Sequence, residues 1–244
     1  MPGLSAGGAV TRIIAGEAGG RRLRTPPGQG TRPTSDRVRE ALFSALEAHL
    51  GTLDGCRFLD AYAGSGAIGL EACSRGAATV TLIEQNGPTA SLIRANAKQL
   101  GMGEVSVLAA RIERLAIAGP PGGGALPFEV AFFDPPYDVP NDDLARVITD
   151  LERSGWLSAD VLLVVERARR GEPWRWPDGF EQLREKRYGE TVLCYGQRVG
   201  PARSAVRAEP ARSADPAEPA RSTQGPDPTD PGRHRRTDRD SREL

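Results

Sequence analysis

The residues best placed to do chemistry are Asp134-Pro135-Pro136-Tyr137, a carboxylate and an aromatic ring separated by two prolines. They follow Val130-Ala131-Phe132-Phe133, an apolar run that reads as a buried strand. Neither proline has an N–H to donate, so the ladder must stop there. Pro135 also restricts Asp134 to extended backbone. A carboxylate and a ring are therefore held stiffly at a strand end, where open α/β sheets place their ligands. This geometry suits one task, the grip of a planar group that carries an exocyclic amine. The ring stacks on the flat face, and the Asp134 carboxylate and the Pro135 carbonyl accept from the –NH2. Taken alone, the same residues also fit a turn aspartate beside an interface aromatic.

A second constellation lies upstream. Asp60-Ala61-Tyr62-Ala63-Gly64-Ser65-Gly66-Ala67-Ile68-Gly69 joins an apolar run to a helical pattern. Its glycines let backbone approach a ligand at a helix N-terminus. Glu84 follows Gly64 by 20 residues and ends the next apolar run, where a carboxylate can accept from both hydroxyls of a ribose. The spacing matches a dinucleotide fingerprint, so a nucleotide-binding oxidoreductase is a rival. Two features oppose it. Asp60 would repel a pyrophosphate, whereas it would favour the cationic amino-acid part of S-adenosylmethionine. The two histidines, His49 and His234, lie near a helix end and in the tail, which leaves no obvious acid–base group for hydride transfer.

These motifs need a scaffold. Thr34-Ser35-Asp36 offers N-cap residues, and Val38, Leu42, Ala45, Leu46 and Leu50 then share one helical face. Alternation follows. Strands are expected at 57–61, 79–84, 105–109, 129–134 and 161–166, and helices at 66–75, 88–100 and 142–154, the second of these opened by Pro88. Pro120–Gly124 reads as a flexible loop. Gln182–Tyr188 and Thr191–Gln197 form a hairpin about Gly189-Glu190. The expected fold is α/β, a mostly parallel seven-stranded sheet with one antiparallel edge strand and helices on both faces. A small N-terminal β/α extension precedes it, with a short strand at Arg12–Ala15.

The 244 residues divide by composition. Residues 1–40 form a basic arm, 41–199 a domain long enough for a full core, and 200–244 a tail. The arm carries +4, the tail +1 and the middle −5, for a net charge of zero. A basic arm on an acidic body suggests a polyanion partner near the arm. Only Lys98 and Lys186 are lysine, so arginine bias is also a habit of composition. Residues 1–11 read as disordered. Pro-Ala-Arg-Ser recurs at 201, 210 and 219 in a tail without aromatics, which cannot bury enough surface to order itself. Three cysteines, Cys56, Cys73 and Cys194, are too few and scattered for a disulfide frame or zinc site. No apolar run approaches the ~20 residues of a membrane span, and the N-terminus has no apolar signal core. A cytoplasmic protein is expected.

Taken in order, the glycine loop, Glu84 and the tetrapeptide resemble the Rossmann-like S-adenosylmethionine-dependent methyltransferases that act on amines. More narrowly, the chain resembles the RsmD family. That likeness rests on Arg12-Ile13-Ile14-Ala15-Gly16 with Gly20-Arg21-Arg22-Leu23, on Arg32-Pro33-Thr34-Ser35-Asp36-Arg37-Val38-Arg39-Glu40-Ala41-Leu42-Phe43, and on Phe58-Leu59-Asp60 through Ala72. It covers roughly residues 12–198. The resemblance implies transfer of a methyl group from S-adenosylmethionine to the N2 amine of a guanine at one site in bacterial 16S ribosomal RNA, within the small subunit or an assembly intermediate, by a monomer without a metal. It implies that Asp60, Ala63, Gly64, Ser65, Gly66 and Glu84 surround the cofactor. Asp134, Pro135, Pro136 and Tyr137 would hold the base, and Arg32, Arg37 and Arg39 would meet RNA phosphates or order the entrance to the site. One position departs from the pattern. Many such enzymes place Asp or Asn after the third strand for the adenine amine, whereas this chain has Arg111, which cannot accept a hydrogen bond. The tetrapeptide serves adenine N6 as well as guanine N2, so an adenine methyltransferase on DNA or RNA remains an alternative. A non-catalytic ribosome-assembly binder would need neither the loop nor the tetrapeptide.

Overall fold

The apolar runs at the centre of the sheet pair because each is rich in residues that fill both of its faces, whereas the edge segment Phe180–Tyr188 is mostly charged and exposed. In the computed structural model, residues 11–26, 35–121 and 126–199 are described. Of the sequence-based expectations, the disordered start at residues 1–10, Arg32 to Thr34, part of the 120–124 loop and the 200–244 tail lie outside them. The elements run α1 (Asp36–Leu50), β1 (Arg57–Asp60), α2 (Ala67–Ser74), β2 (Thr79–Ile83), α3 (Gly87–Leu100), β3 (Val105–Leu108), α4 (Ile112–Ala118), β4 (Phe128–Phe133), α5 (Asn141–Arg153), β5 (Leu157–Ala168), β6 (Phe180–Tyr188) and β7 (Thr191–Arg198). Helix α1 runs through residue 40, where composition divides arm from domain. Among the described residues no helix is long and apolar enough to cross a membrane.

The strand order is β3-β2-β1-β4-β5-β7-β6. The first five strands are parallel to their neighbours. β7 runs antiparallel to both β5 and β6, at the β6 end of the sheet. The sheet is thus mostly parallel, as the alternation of runs implies. β5 is longer than expected and begins at Leu157 rather than Val161. The short helix α4 has no counterpart among the expected elements. It is only seven residues long, too short for a helical period to stand out.

Neighbouring residues on each central strand feed opposite cores. Phe58, Val80, Leu82, Val130, Phe132 and Val164 pack with Leu42, Phe43 and Leu46 of α1 and Ile68 of α2. Leu59, Ala131, Phe133, Leu163 and Val165 pack with Leu144, Ile148 and Leu151 of α5 and Ala116 of α4. Both faces are buried, which explains the near-continuous apolar strands.

The N-terminal segment docks on α2 through two side chains of that helix. Glu71, fully buried, accepts the N–H of Ile14 at 2.6 Å and of Ala15 at 2.9 Å. Ser74 Oγ accepts the Ala18 N–H at 2.9 Å and donates to the Ala15 carbonyl at 2.6 Å. Ile13, Ala18 and Leu23 seal the contact against Ala67, Leu70 and Ala97. Gly16 is required here. Its φ is +79°, and a Cβ would sit 1.8 Å from the Ser74 carbonyl oxygen. The expected strand at Arg12–Ala15 is reduced to a single antiparallel bridge between Arg12 and Arg22.

Candidate active site

The strand order reverses between β1 and β4, and the connections that leave these two strands go to opposite sides of the order. Such a switch point opens a crevice at the carboxyl edge of a parallel sheet. Asp60 ends β1, and Asp134 is one residue beyond β4. Asp60 lies level with Phe132 in the register. The two acids therefore stand on adjacent strands at one edge of the sheet, from motifs more than seventy residues apart.

Asp60 is 1 % exposed. Its Oδ2 accepts the Gly69 N–H at 3.0 Å, in the first turn of α2. Gly66 occupies the N-cap of that helix and has no side chain to offer, so Asp60 serves the free N–H groups from outside. Its other oxygen, Oδ1, is buried and accepts nothing among the described residues. Burial pushes the carboxyl up to about 7, against the Gly69 hydrogen bond, and the nearby Asp134 and Glu84 carboxylates add to the rise. A buried acid with one unsatisfied oxygen is a receptor for a cation or a strong donor.

Glu84 is one residue beyond β2 and half-buried. Its Oε2 accepts the Gly64 N–H at 2.9 Å and its Oε1 the Asn86 N–H at 2.7 Å. Each oxygen keeps a further acceptor site, so Glu84 can shape the loop and still accept from a diol. The glycines of the loop divide their tasks. Gly64 has φ +51° and open space where a Cβ would go. At Gly66 a Cβ would lie 2.8 Å from Ile93, and at Gly69 it would lie 2.6 Å from Leu82. Those two glycines serve close packing of α2 and its entry, and only Gly64 presents an open side. Ala63 is buried, with its N–H on the Ile83 carbonyl at 2.9 Å, and Ser65 is half-buried beside it.

On the other side of the crevice, Asp134 is half-buried. Burial raises its carboxyl to about 6, with the Arg167 charge opposing. Pro135 is buried, whereas Pro136 and Tyr137 are exposed, Tyr137 at 76 %. The Pro136 carbonyl accepts the Val139 N–H at 3.0 Å and closes the turn that projects the ring. The Asp134 carboxylate is thus set back behind a buried proline, with the Tyr137 ring standing outside it.

The arginines separate. Arg37 is exposed in the first turn of α1. Arg39 is not available to a phosphate, contrary to the sequence reading. It is 1 % exposed, and its Nη2 donates to the Arg12 carbonyl and to Asp36 Oδ1, both at 2.7 Å. Its place on α1 puts it on the inward side beside Val38 and Leu42, where it ties the N-terminal segment to the helix. Although burial opposes it, Arg39 and Arg12 together hold the Asp36 carboxyl below its usual range. Arg111 caps α4 by its backbone, is 69 % exposed and faces Glu113 at 3.5 Å. Ile112, next to it, is buried.

Sequence reasoning passed over Arg167. It lies on β5 with its guanidinium carbon 5.8 Å from the centre of the Trp174 ring, and its charge reaches Asp134 and Tyr62. No motif marks it; its relation to Asp134 exists only because β4 and β5 are neighbours. Among the described residues no group of three or more His, Cys, Asp or Glu is placed to hold a metal ion.

Residues 11–197 match the family described as Conserved hypothetical protein 95. The chain is 36 % identical over 205 residues to the Escherichia coli K12 protein named Ribosomal RNA small subunit methyltransferase D, covering 83 % of this chain and 97 % of that one. It is 31 % identical over 189 residues to the Bacillus subtilis protein named Putative rRNA methyltransferase YlbH, covering 77 % and 99 %. Among solved structures, the putative methyltransferase yhhF from Escherichia coli superposes with a TM-score of 0.65 at 34 % identity, over 77 % of this chain and 97 % of that one.

Proposed function

The chain belongs to the RsmD family, described as Conserved hypothetical protein 95, and from that membership we propose that it methylates the exocyclic N2 amine of a guanine in bacterial 16S ribosomal RNA. The substrate on this reading is the small ribosomal subunit or an assembly intermediate. S-adenosylmethionine, when bound, supplies an electrophilic methyl group carried on a sulfonium. The residues present fit that donor. The unsatisfied Oδ1 of Asp60 suits its ammonium group. Glu84 suits its ribose hydroxyls, and the open side of Gly64 leaves room for it.

The single observation that carries the reading is the placement of Asp60 and Asp134 at the carboxyl ends of adjacent strands, Asp60 level with Phe132 and Asp134 one residue beyond β4. One acid suits the donor's cation and the other suits an amine, at one edge of the sheet. A guanine N2 lone pair is delocalised into the ring, so the amine is a poor nucleophile. Asp134 and the Pro135 carbonyl accept its two hydrogens, which favours a pyramidal nitrogen and opposes the positive charge that grows there. Tyr137 stacks on the base, which must be splayed from its neighbours to reach the site. Alignment of the amine with the methyl group supplies much of the rate. As the N–C bond forms and the S–C bond breaks, the nitrogen must lose one proton. Asp134, pushed up to about 6, is basic enough to take it and release it to water.

The test uses small-subunit particles from cells that lack this enzyme, incubated with labelled S-adenosylmethionine, followed by mapping of the modified nucleotide. Label on the N2 of one guanine is expected. Label on adenine N6, or none with wild-type protein, would overturn the reading.

A further inference from the structure

Asp134 has neighbours on both sides, because β4 lies between β1 and β5. Asp60 is level with Phe132, and Val165 with Phe133. Tyr62 stands two residues beyond β1, and Arg167 two residues beyond Val165 on β5. They come from the strands on either side of the tetrapeptide's start. Leu163 and Val165 belong to the core under α5, and strand alternation sets Arg167 on that same face. Val192, opposite Arg167 on β7, is in that core too, and Tyr62 packs against it. Glu166 takes the other face of β5. It follows Val165 as Asp134 follows Phe133, it is buried, and its Oε1 accepts from the Thr191 hydroxyl at 3.4 Å.

Arg167 is half-buried and braced. Its guanidinium carbon lies 5.8 Å from the centre of the buried Trp174 ring. The Glu172 and Pro173 carbonyls just before that ring accept from Asn141 Nδ2 at 3.3 and 3.2 Å. Asn141 opens α5, the helix that follows the tetrapeptide. One strap thus braces the arginine and is tied to the tetrapeptide's own helix. Arg167 Nε and Nη2 are buried with no hydrogen-bond partner among the described residues, and so is the Tyr62 hydroxyl. Unpaired donors are costly to bury, so packing alone does not account for an arginine at this place. Burial weakens its hold on the proton, yet a guanidinium stays charged. The groups that feel this charge are Tyr62, Cys194 of β7 and Asp134. Burial lifts the Tyr62 hydroxyl and the Cys194 thiol away from neutral pH, so of these three Asp134 is the one that is charged there. Arg111, Glu113 of α4 and Asp143 of α5 also reach Tyr62. From the β1 side, the acid Asp60 faces Asp134. Against burial and these acids, Arg167 is the positive charge that reaches Asp134.

We propose that Arg167 is a positioning residue for methyl transfer, whose charge, braced on Trp174 beside the end of β4, holds Asp134 in the carboxylate form that accepts from the amine. This rests on the methyl-transfer reading above. Burial by itself favours the protonated acid, which has one acceptor fewer for the amine and no capacity to take its proton. A cation beside Asp134 also favours passing that proton on to water.

The experiment follows the Asp134 carboxyl by carbon NMR titration in wild type, Arg167→Gln and Arg167→Lys, and the pH profile of kcat for each on small-subunit particles. In wild type the midpoint should lie at about 6. A nearby opposite charge holds a carboxyl down by about one unit or more. In Arg167→Gln the midpoint and the acid limb of kcat should therefore both rise to about 7, and Arg167→Lys should restore both. An arginine that only packed on Trp174 would leave them in place. Arg167→Met, which lays an apolar stem on Trp174 and buries no donor, serves the same comparison if Arg167→Gln does not fold. An unchanged midpoint and limb in the uncharged variants would overturn this inference alone. A wild type that transfers no methyl group to the particles would instead overturn the functional reading beneath it, while the titration still reports whether Arg167 holds Asp134 ionised.

Discussion

Glu84, after β2, accepts the Gly64 N–H of the loop after β1 at 2.9 Å, so the acid read as a ribose acceptor also holds the glycine loop beside it. With Asn86 on its other oxygen, the carboxylate joins the ends of β1 and β2 before any ligand arrives. A site organised in this way loses little entropy on binding.

Glu84→Ala should therefore weaken S-adenosylmethionine binding twice over, through lost acceptors and a loosened loop. Hydrogen bonds to charged groups contribute about 1.5–3 kcal/mol, so a fall in affinity of roughly 10- to 100-fold is expected by calorimetry. Glu84→Gln keeps one acceptor oxygen and should lie between. Affinity at the wild-type level in Glu84→Ala would refute this role.

Asp60 should make donor binding depend on pH. Its carboxyl is raised from 3.8 to about 7 in the folded protein. Its contribution to folding stability is thus fully present below about 4 and is lost as pH rises through about 7. The free protein therefore holds this proton at mildly acidic pH, whereas a bound cation requires the ionised form. Binding at pH near 6.5 should release a proton, measurable by calorimetry in buffers of different ionisation enthalpy. The release should vanish in Asp60→Asn. Equal heats in all buffers for wild type would contradict the assignment.

On the proposed mechanism Asp134 should set an acid limb on the rate. It must be ionised to accept from the amine, and burial lifts it to about 6. The kcat should fall as pH drops through about 6 and level off above that value. Here too the raised value means that the folded state is favoured by acid and loses that contribution as pH rises through about 6. Asp134→Ala should lower kcat by about 10²–10³-fold, the scale of a lost electrostatic contact in a transition state, while donor binding persists. A normal rate in Asp134→Ala would remove the tetrapeptide from the mechanism.

Glu71 should matter for stability rather than for chemistry. It accepts two backbone N–H groups of the N-terminal segment and also the Arg75 Nε at 2.8 Å. Glu71→Ala leaves those part-buried donors without their partner, at up to about 1–3 kcal/mol each. Urea denaturation should show a loss of about 2–4 kcal/mol, with residues 11–24 becoming sensitive to protease. A loss under about 0.5 kcal/mol, the range of ordinary surface substitutions, would show that the segment is held by other means.

The sequence by itself determined the order of the parts. Strand-ending prolines, a glycine loop between an apolar run and a helix, and acids at strand ends are local signals. Local signals survive in one dimension because they arise from backbone sterics and short-range periodicity. From them came the parallel sheet, the loop, Glu84 and the Asp134 tetrapeptide. Tertiary structure decided what depends on neighbours distant in the chain. Placing β1 beside β4 brought Asp60 to the edge where Asp134 stands, and pairing β4 with β5 brought the Arg167 charge within reach of Asp134. Arg39 looked like Arg37 in the sequence, one turn of the same basic helix start. Its place on α1 sets it inward beside Val38 and Leu42, and the docked residues 11–24 supply the Arg12 carbonyl that it binds along with Asp36. Gly66 and Gly69 read as ligand glycines in the sequence, and the fold adds a packing reason for each, because Ile93 of α3 and Leu82 of β2 leave no room for a Cβ. The strap that braces Arg167 is tied to Asn141, some 30 residues earlier. No spacing rule reaches that far, since burial and charge environment are properties of the packed chain and not of the string.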